Sequence, residues 1–386
     1  MKILYDHQVF TRQNYGGVSR YYCELMDQFS QNPDLNITLA LRASYNENLC
    51  NRPSLNPYWS NKSHLLSRTQ IIPYIQKYIH INLLKRLHIN QSESVRLLKK
   101  HDFDIFHPTE YNPYFLKHLQ KKPYVITVHD MIHELYPAYY SPRDPTSQWK
   151  KNLIEKADAI IAISENTKKD IMKFSNVEPD RISVIYLSNP FEFQEKTNKT
   201  TILQNLPLCK KPYLLFVGTR THYKNFVFFI TAIAELLKKD TSLHVCCAGG
   251  GPFSARELKI LKELGIHSNA HVVNTNDHIM PQLYANARAF VFPSLYEGFG
   301  FPLLEAFSCG CPVVASDTSS LPEIGGDAAL YFDPRDPGSL LHAVESVLTD
   351  DQVREIFVRK GLLRVNEFSW EKTALDTKKV YQNVLN

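Results

Sequence analysis

Ser294-Leu-Tyr-Glu-Gly-Phe-Gly-Phe-Pro-Leu-Leu-Glu305 places two glutamates, Glu297 and Glu305, eight positions apart around a Gly-Phe-Gly turn. The apolar run at 289–293 leads into it and reads as a strand. Pro302 suits the first position of a following helix and Gly310 its C-terminal cap. Gly298 and Gly300 fall just before that helix, where the lack of a Cβ lets backbone N–H groups come close to a ligand. Free N–H groups at a helix N-terminus favour anions, phosphates above all. Glu305 is expected in the first helical turn and Glu297 in the loop ahead of it. Carboxylates do not bind phosphate, but they accept hydrogen bonds from hydroxyls. The stretch therefore reads as an anion cradle with a hydroxyl-reading carboxylate on each side, the requirements of a nucleotide-sugar site.

Outward from this stretch, short apolar runs without polar alternation recur at 3–5, 37–41, 105–107, 124–129, 159–164 and 182–187. They resume at 213–218, 243–249, 271–274, 289–293, 312–316 and 330–332. Strands apolar on both faces belong to parallel sheets covered by helices. The intervening segments, such as 226–239 and 255–264, read as amphipathic helices. Strand–helix alternation predicts an α/β fold of two doubly wound Rossmann-like domains. The break is expected around 188–212, where Asn189-Pro190 precedes a polar, strand-poor run. The boundaries are set at 1–190, 205–365 and a final helical segment 366–386, with Ser369 as its N-cap and Trp370, Ala374, Val380, Tyr381 and Val384 along one face.

The composition fits this frame. A chain of 386 residues exceeds one typical core. With 44% apolar and 22% charged residues, it has the make-up of a soluble globular protein. No window approaches 18 consecutive apolar residues, and no apolar run follows the first strand, so neither a spanning helix nor a secretory leader is expected. Seven scattered cysteines without a C-x-x-C pair give no zinc or disulfide framework and suit a reducing cytoplasm. The net charge of +5 is mild. Basic and aromatic residues interleave over 67–100 (Arg68, Tyr74, Lys77, Tyr78, Lys85, Arg86, Arg96, Lys99, Lys100), a pattern that permits contact with an anionic membrane surface. No nucleic-acid-binding motif accompanies it, so no nucleic-acid partner is expected. Asp102-Phe-Asp104 has the form of a metal motif, yet it precedes a strand and reads as its polar lead-in. No metal is expected.

The donor stretch, together with Ala306-Phe-Ser-Cys-Gly-Cys-Pro-Val-Val-Ala-Ser316 and Ser320-Leu-Pro-Glu-Ile-Gly-Gly-Asp327, resembles the signature of retaining glycosyltransferase family 4. The resemblance runs from about residue 213 to 334 and reaches the N-terminus more weakly. It implies the GT-B fold, in which two Rossmann-like domains face each other across a cleft and a C-terminal helix crosses back to the first. It implies that Glu297 binds hydroxyls of the transferred sugar and Glu305 the ribose. The backbone of Gly298, Phe299, Gly300 and Leu303 would hold the sugar and phosphates.

Lys224, in Gly218-Thr-Arg-Thr-His-Tyr-Lys-Asn225, resembles the family lysine that neutralises the donor diphosphate. The family's usual arginine directly after the glycine is replaced by Thr219, and Arg220 one residue later is a second candidate for the phosphates. His129, at the carboxyl end of the run 124–129, is expected to point into the ligand crevice. In the family a histidine here lies beside the transferred sugar. Asp130 is a weaker candidate, and His133 is expected to be structural. Gly16 and Gly17 match a paired glycine that brings N–H groups to the diphosphate or acceptor. Tyr5, Asp6 and His7 are open as acceptor contacts. Gly249-Gly-Gly-Pro252 resembles a family turn that borders the nucleotide pocket, and it reads equally as a turn packed tightly against the next helix.

A softer likeness, carried by Gly16 to Tyr21, His129 to His133 and the Lys224 loop, is to bacterial mannosyltransferases that use GDP-mannose in surface-polysaccharide assembly. A UDP- or dTDP-sugar donor stays open, as do a nucleotide-sugar epimerase, a phosphorylase and a non-catalytic binding protein. The expected acceptor is a glycan or lipid-linked glycan. The expected location is cytoplasmic, peripheral on the inner face of the membrane.

Overall fold

A computed structural model describes residues 1–59, 79–189, 211–276 and 278–386, with the backbone alone for 79–86. Residues 190–210, most of the break expected around 188–212, lie outside the described residues, as do Arg68, Tyr74, Lys77 and Tyr78 of the basic stretch. Every strand pairing among the described residues is parallel. That follows from strands buried on both faces, which demand helices above and below the sheet.

The chain divides into two compact units, Met1–Leu187 with Trp370–Asn386, and Ser188–Ser369. In the first, β1 (Lys2–Tyr5), β2 (Asn36–Leu39) and β3 (Ile105–His107) pair in the order β2-β1-β3. The strands β4 (Val125–Val128), β5 (Ala159–Ala162) and β6 (Ile182–Val184) pair in sequence order. A single parallel bridge between Phe106 and Tyr124 joins the two triplets.

In the second unit, β7 (Tyr213–Val217), β8 (His244–Ala248), β9 (Ala270–Val273), β10 (Ala289–Phe292), β11 (Val313–Ser316) and β12 (Leu330–Phe332) make one sheet in the order β12-β11-β10-β7-β8-β9. Counted from its own first strand this is 6-5-4-1-2-3, the doubly wound order. The order reverses between β7 and β10, and the loops leaving those two strand ends run to opposite sides and open a crevice. Phe216, Phe226 and Phe229 fill the core beneath it. The segment read as one helix over 226–239 is Phe226–Ala232 and Ala234–Lys239, distorted at Ile233. Ile233 N–H to Phe229 O and Leu237 N–H to Ile233 O continue the i to i−4 ladder through the distortion.

The helix Trp370–Leu385 packs on the first unit through Trp370, Thr373, Ala374, Thr377, Val380 and Tyr381. Val384 is only half-buried. A chain of buried hydrogen bonds ties it down. Tyr381 Oη lies 3.0 Å from Tyr5 Oη and 2.6 Å from His107 Nδ1. His107 Nε2 lies 2.9 Å from Thr127 Oγ1, which is 3.1 Å from Tyr21 Oη. Tyr5, expected as a possible acceptor contact, is part of this network and fully buried.

Burial, followed by the neighbouring His129, pushes the His107 pKa from 6.5 down to about 3. The unfolded chain therefore takes the proton first as pH falls, and the stabilisation by neutral His107 is complete above pH 6.5. It is lost progressively as pH drops toward about 3. The urea midpoint of the full-length protein is expected to fall between pH 6.5 and pH 4, and to fall less in His107→Gln; equal pH dependence in the two would contradict this.

Candidate active site

At the end of β7, Gly218 takes φ +111°, a backbone state that favours glycine. The loop then turns through a short 3-10 segment, His222–Lys224, and Asn225 ends it in the left-handed region at φ +59°. This turn brings Lys224 Nζ to 2.7 Å from Glu297 Oε1, which follows β10. The two side chains are only 16% and 12% exposed, so the pair is shielded from screening.

Glu297 is locked through its backbone. Its N–H donates to Ser319 Oγ at 2.9 Å, and its carbonyl accepts from Ser320 Oγ at 2.8 Å. Both serines follow β11, and Ser319 is itself held at φ +55°. Leu295 N–H donates to the Tyr223 carbonyl at 2.7 Å. Three strand ends thus hold one lysine and one glutamate together at the point where strand order reverses.

Gly300, at φ +99°, precedes the helix Phe301–Ser308. A Cβ there would sit 2.9 Å from Leu321 Cδ2, so no other residue fits without displacement. Pro302 is the second helical residue, and Gly310 beyond the end takes φ +62°. Glu305 is the fifth residue of this helix, past the first turn where it was expected. Its Oε2 accepts from Tyr284 Oη at 2.9 Å. Burial and the adjacent carboxylate raise the Tyr284 pKa well above the usual value and keep that proton in place as a donor.

Two sequence expectations change. The Leu303 N–H donates to the Gly300 carbonyl at 2.9 Å and its side chain is fully buried, so its amide is engaged within the turn. The Arg220 side chain is buried and its nitrogens meet acceptors within the protein. Its Nε donates to Glu257 Oε1 at 2.8 Å. Its two terminal nitrogens grip the carbonyls of Gly249 (2.9 Å), Gly251 (2.8 Å) and Pro252 (2.9 Å). Three successive glycines with positive φ, +87°, +72° and +69°, turn those carbonyls toward it. Glu257 meanwhile caps its own helix, Ala255–Glu263, through Ser254. Arg220 is thus a clamp on the Gly249–Pro252 turn. Phe299 is buried against Phe301 and Phe368, so only its backbone is placed to meet a ligand.

In the first unit His129 directly follows β4. Its N–H donates to Tyr111 Oη at 3.1 Å, and its ring meets Tyr21 edge-on at 5.3 Å. Burial lowers its pKa to about 4, leaving the ring neutral at ordinary pH. Its buried Nε2 has no partner among the described residues. A hollow of about 340 Å³ lies beside it, lined by Arg12, Glu110, Asp130, His133, Asp144 and Trp149 among others. Gly16 caps the helix Gly17–Ser30. His133 stacks on Tyr140 with ring centroids 3.8 Å apart. Asp102 pairs with Lys2, and Asp104 Oδ2 accepts from the Lys2 N–H at 2.7 Å, so both hold the start of β1.

Residues 15–187 match the family model "Glycosyltransferase Family 4", and residues 198–364 match "Glycosyl transferases group 1". The O-antigen chain mannosyltransferase B of Escherichia coli is 33% identical over 278 residues, which span 70% of this chain and 72% of that one. The chain belongs to glycosyltransferase family 4. The O-antigen chain mannosyltransferase RfbU of Salmonella typhimurium is 30% identical over 58% of this chain and 60% of its own length. The sucrose-phosphate synthase of Thermosynechococcus elongatus superposes with a TM-score of 0.74 at 19% identity, covering 99% of this chain and 98% of that one. The fold is GT-B, and the protein is an enzyme that transfers sugars.

Lys150 of this glycosyltransferase escaped sequence reasoning, and Asp6 was open there only as an acceptor contact. Asp6 is fully buried at the end of β1 and accepts from Thr109 N–H (2.9 Å), Thr109 Oγ1 (2.7 Å), Gln8 Nε2 (2.7 Å) and Tyr114 Oη (3.1 Å). It fixes the ends of β1 and β3 to each other. Lys150, on the helix Thr146–Lys156, is fully buried. Its Nζ donates to the Asp130 carbonyl at 2.9 Å and to Glu134 Oε2 at 3.0 Å, holding the loop that follows His129. Neither has a motif around it; the one signal is a lysine on the inward side of an amphipathic helix.

Arg220→Ala removes a buried cation, takes the counter-ion from Glu257 and leaves several carbonyls without their donor, so it is expected to destabilise the protein by about 3–5 kcal/mol. Lys224→Ala is expected to cost less than half as much. Guanidinium unfolding of both variants checks the contrast, and equal losses would contradict the separate roles.

Proposed function

We propose that the enzyme transfers mannose from GDP-mannose, with retention of configuration, to a hydroxyl of a glycan or lipid-linked glycan in surface-polysaccharide assembly. The carrying observation is the shielded Lys224–Glu297 pair at the carboxyl ends of β7 and β10. The names of the two O-antigen chain mannosyltransferases support the sugar and the pathway class.

In this reading the bond between the mannose anomeric carbon and the diphosphate breaks, and a bond to the acceptor oxygen forms on the same face. The acceptor proton passes to the departing phosphate oxygen, so no enzyme nucleophile is required. Negative charge grows on the diphosphate, and Lys224 stabilises it. Glu297 accepts hydrogen bonds from mannose hydroxyls and Glu305 from the ribose. The backbone of Gly298, Phe299 and Gly300, ahead of the helix, carries the sugar and phosphates. Gly16 and Gly17, at a second helix N-terminus, contribute to anion binding. Neutral His129 hydrogen-bonds a hydroxyl of the reacting sugars. A single lysine beside a helix N-terminus supplies the charge compensation, without a metal. Among the described residues no helix is long and apolar enough to cross a membrane, and the basic stretch 67–100 is assigned to peripheral contact with an anionic leaflet.

The test is transfer from GDP-mannose with product configuration read by NMR. An α-linked product is expected, at a rate unchanged by EDTA. Lys224→Ala and Glu297→Ala are each expected to lower kcat by about 10²–10³-fold while staying folded. A β-linked product would refute retention, and near-normal rates in both variants would refute the site.

A further inference from the structure

The hollow beside His129 has a neighbour. A second hollow of about 220 Å³ is lined by His7, Leu87, Gln91 and Tyr114, and it shares Arg12, Asn112 and Trp149 with the first. The shared residues form a wall between two small compartments, one of them an indole that offers an apolar face for the C–H side of a pyranose. Each compartment has the scale of one sugar ring, and neither has the long apolar lining of a lipid channel.

Each is also lined by a histidine whose Nε2 is buried and has no partner among the described residues, His129 in the first and His7 in the second. The chemistry of the second can be worked out from its neighbours. Thr11 Oγ1 donates its one proton to the His7 carbonyl at 2.9 Å and accepts from Asn90 Nδ2 at 2.8 Å. The arrangement that satisfies both Thr11 contacts at once has His7 Nδ1, at 3.1 Å, donating to Thr11 Oγ1, and we assign the ring proton to Nδ1 on that ground. Burial favours the neutral ring. His7 Nε2 is then a bare acceptor, and an unpaired buried acceptor costs about 1–3 kcal/mol unless a ligand satisfies it. A hydroxyl satisfies it; a carbonyl or phosphate oxygen does not. The lock that Asp6 places on Gln8 and Thr109 keeps both compartments preformed.

We propose that these compartments are two consecutive acceptor subsites, so that the enzyme extends a glycan of at least two sugars. The reacting sugar sits beside His129, and the preceding one donates a hydroxyl proton to His7 Nε2 across the Trp149 wall. This rests on the transferase reading above and adds to it the length of the acceptor.

The experiment compares p-nitrophenyl α-mannoside with p-nitrophenyl α-mannobioside as acceptors, with GDP-mannose as donor. The kcat/KM for the disaccharide is expected to exceed that for the monosaccharide by at least tenfold. The ratio is expected to fall toward one in His7→Phe, which removes the acceptor nitrogen. It is expected to fall likewise in Gln91→Trp, which fills the second hollow from an exposed helical position and does not disturb the core. Equal efficiency in the wild type, or a ratio unchanged in both variants, overturns the two-subsite inference and leaves the transferase reading intact. Failure to transfer to either acceptor, with no GDP released, would instead fall on the transferase reading itself.

Discussion

The structure of the second unit converges on one ion pair. Lys224 and Glu297 lie 73 positions apart in the chain and 2.7 Å apart in space. Neither local turn alone could bring them together. The doubly wound strand order sets β7 beside β10, and the reversal at that point leaves room for a ligand where other strand ends are covered. Ser319 and Ser320, beyond β11, then hold the Glu297 backbone. A cation and a carboxylate kept apart from bulk water are poised for a ligand that is anionic at one end and rich in hydroxyls at the other. Such a ligand can replace their mutual contact with two separate ones.

The same constraint acts in the first unit with different residues. Asp6 binds the ends of β1 and β3, where that sheet changes direction, and Lys150 binds the loop after β4. Buried charge of this kind is costly unless paired and hydrogen-bonded, and here Asp6 accepts from Thr109, Gln8 and Tyr114 while Lys150 donates to the Asp130 carbonyl and pairs with Glu134. Its effect is rigidity around His129 and the hollow beside it. The crossing helix Trp370–Leu385 adds to this through Tyr381, whose hydroxyl reaches both β1 and β3.

Much of this was legible in the sequence because parallel strands buried on both faces leave a continuous apolar mark. All twelve apolar runs form strands, with ends displaced by at most a few residues. The Glu297 loop was legible because glycine, proline and carboxylate each have a stated reason for their place. The surroundings of Arg220 were not legible for a physical reason. A sequence shows that an arginine stands near a strand end but not which acceptors surround it, and the carbonyls of Gly249, Gly251 and Pro252, beyond another strand end, take up its donors. Leu303 and Glu305 moved because a helix starting at Phe301, with Pro302 second, sets a register that the motif spacing alone does not fix. The bonding roles of Asp6 and Lys150 were not legible because most of their partners lie at long sequence separation and in no motif.

The central claim is that the Lys224–Glu297 pair belongs to a nucleotide-sugar donor site. Calorimetric titration of the wild type, Lys224→Ala and Glu305→Ala with GDP and UDP tests it directly. Saturable GDP binding that weakens at least tenfold in each variant, with UDP bound more weakly by the wild type, is the predicted result. Binding of neither nucleotide, or equal GDP affinity in all three proteins, would contradict it.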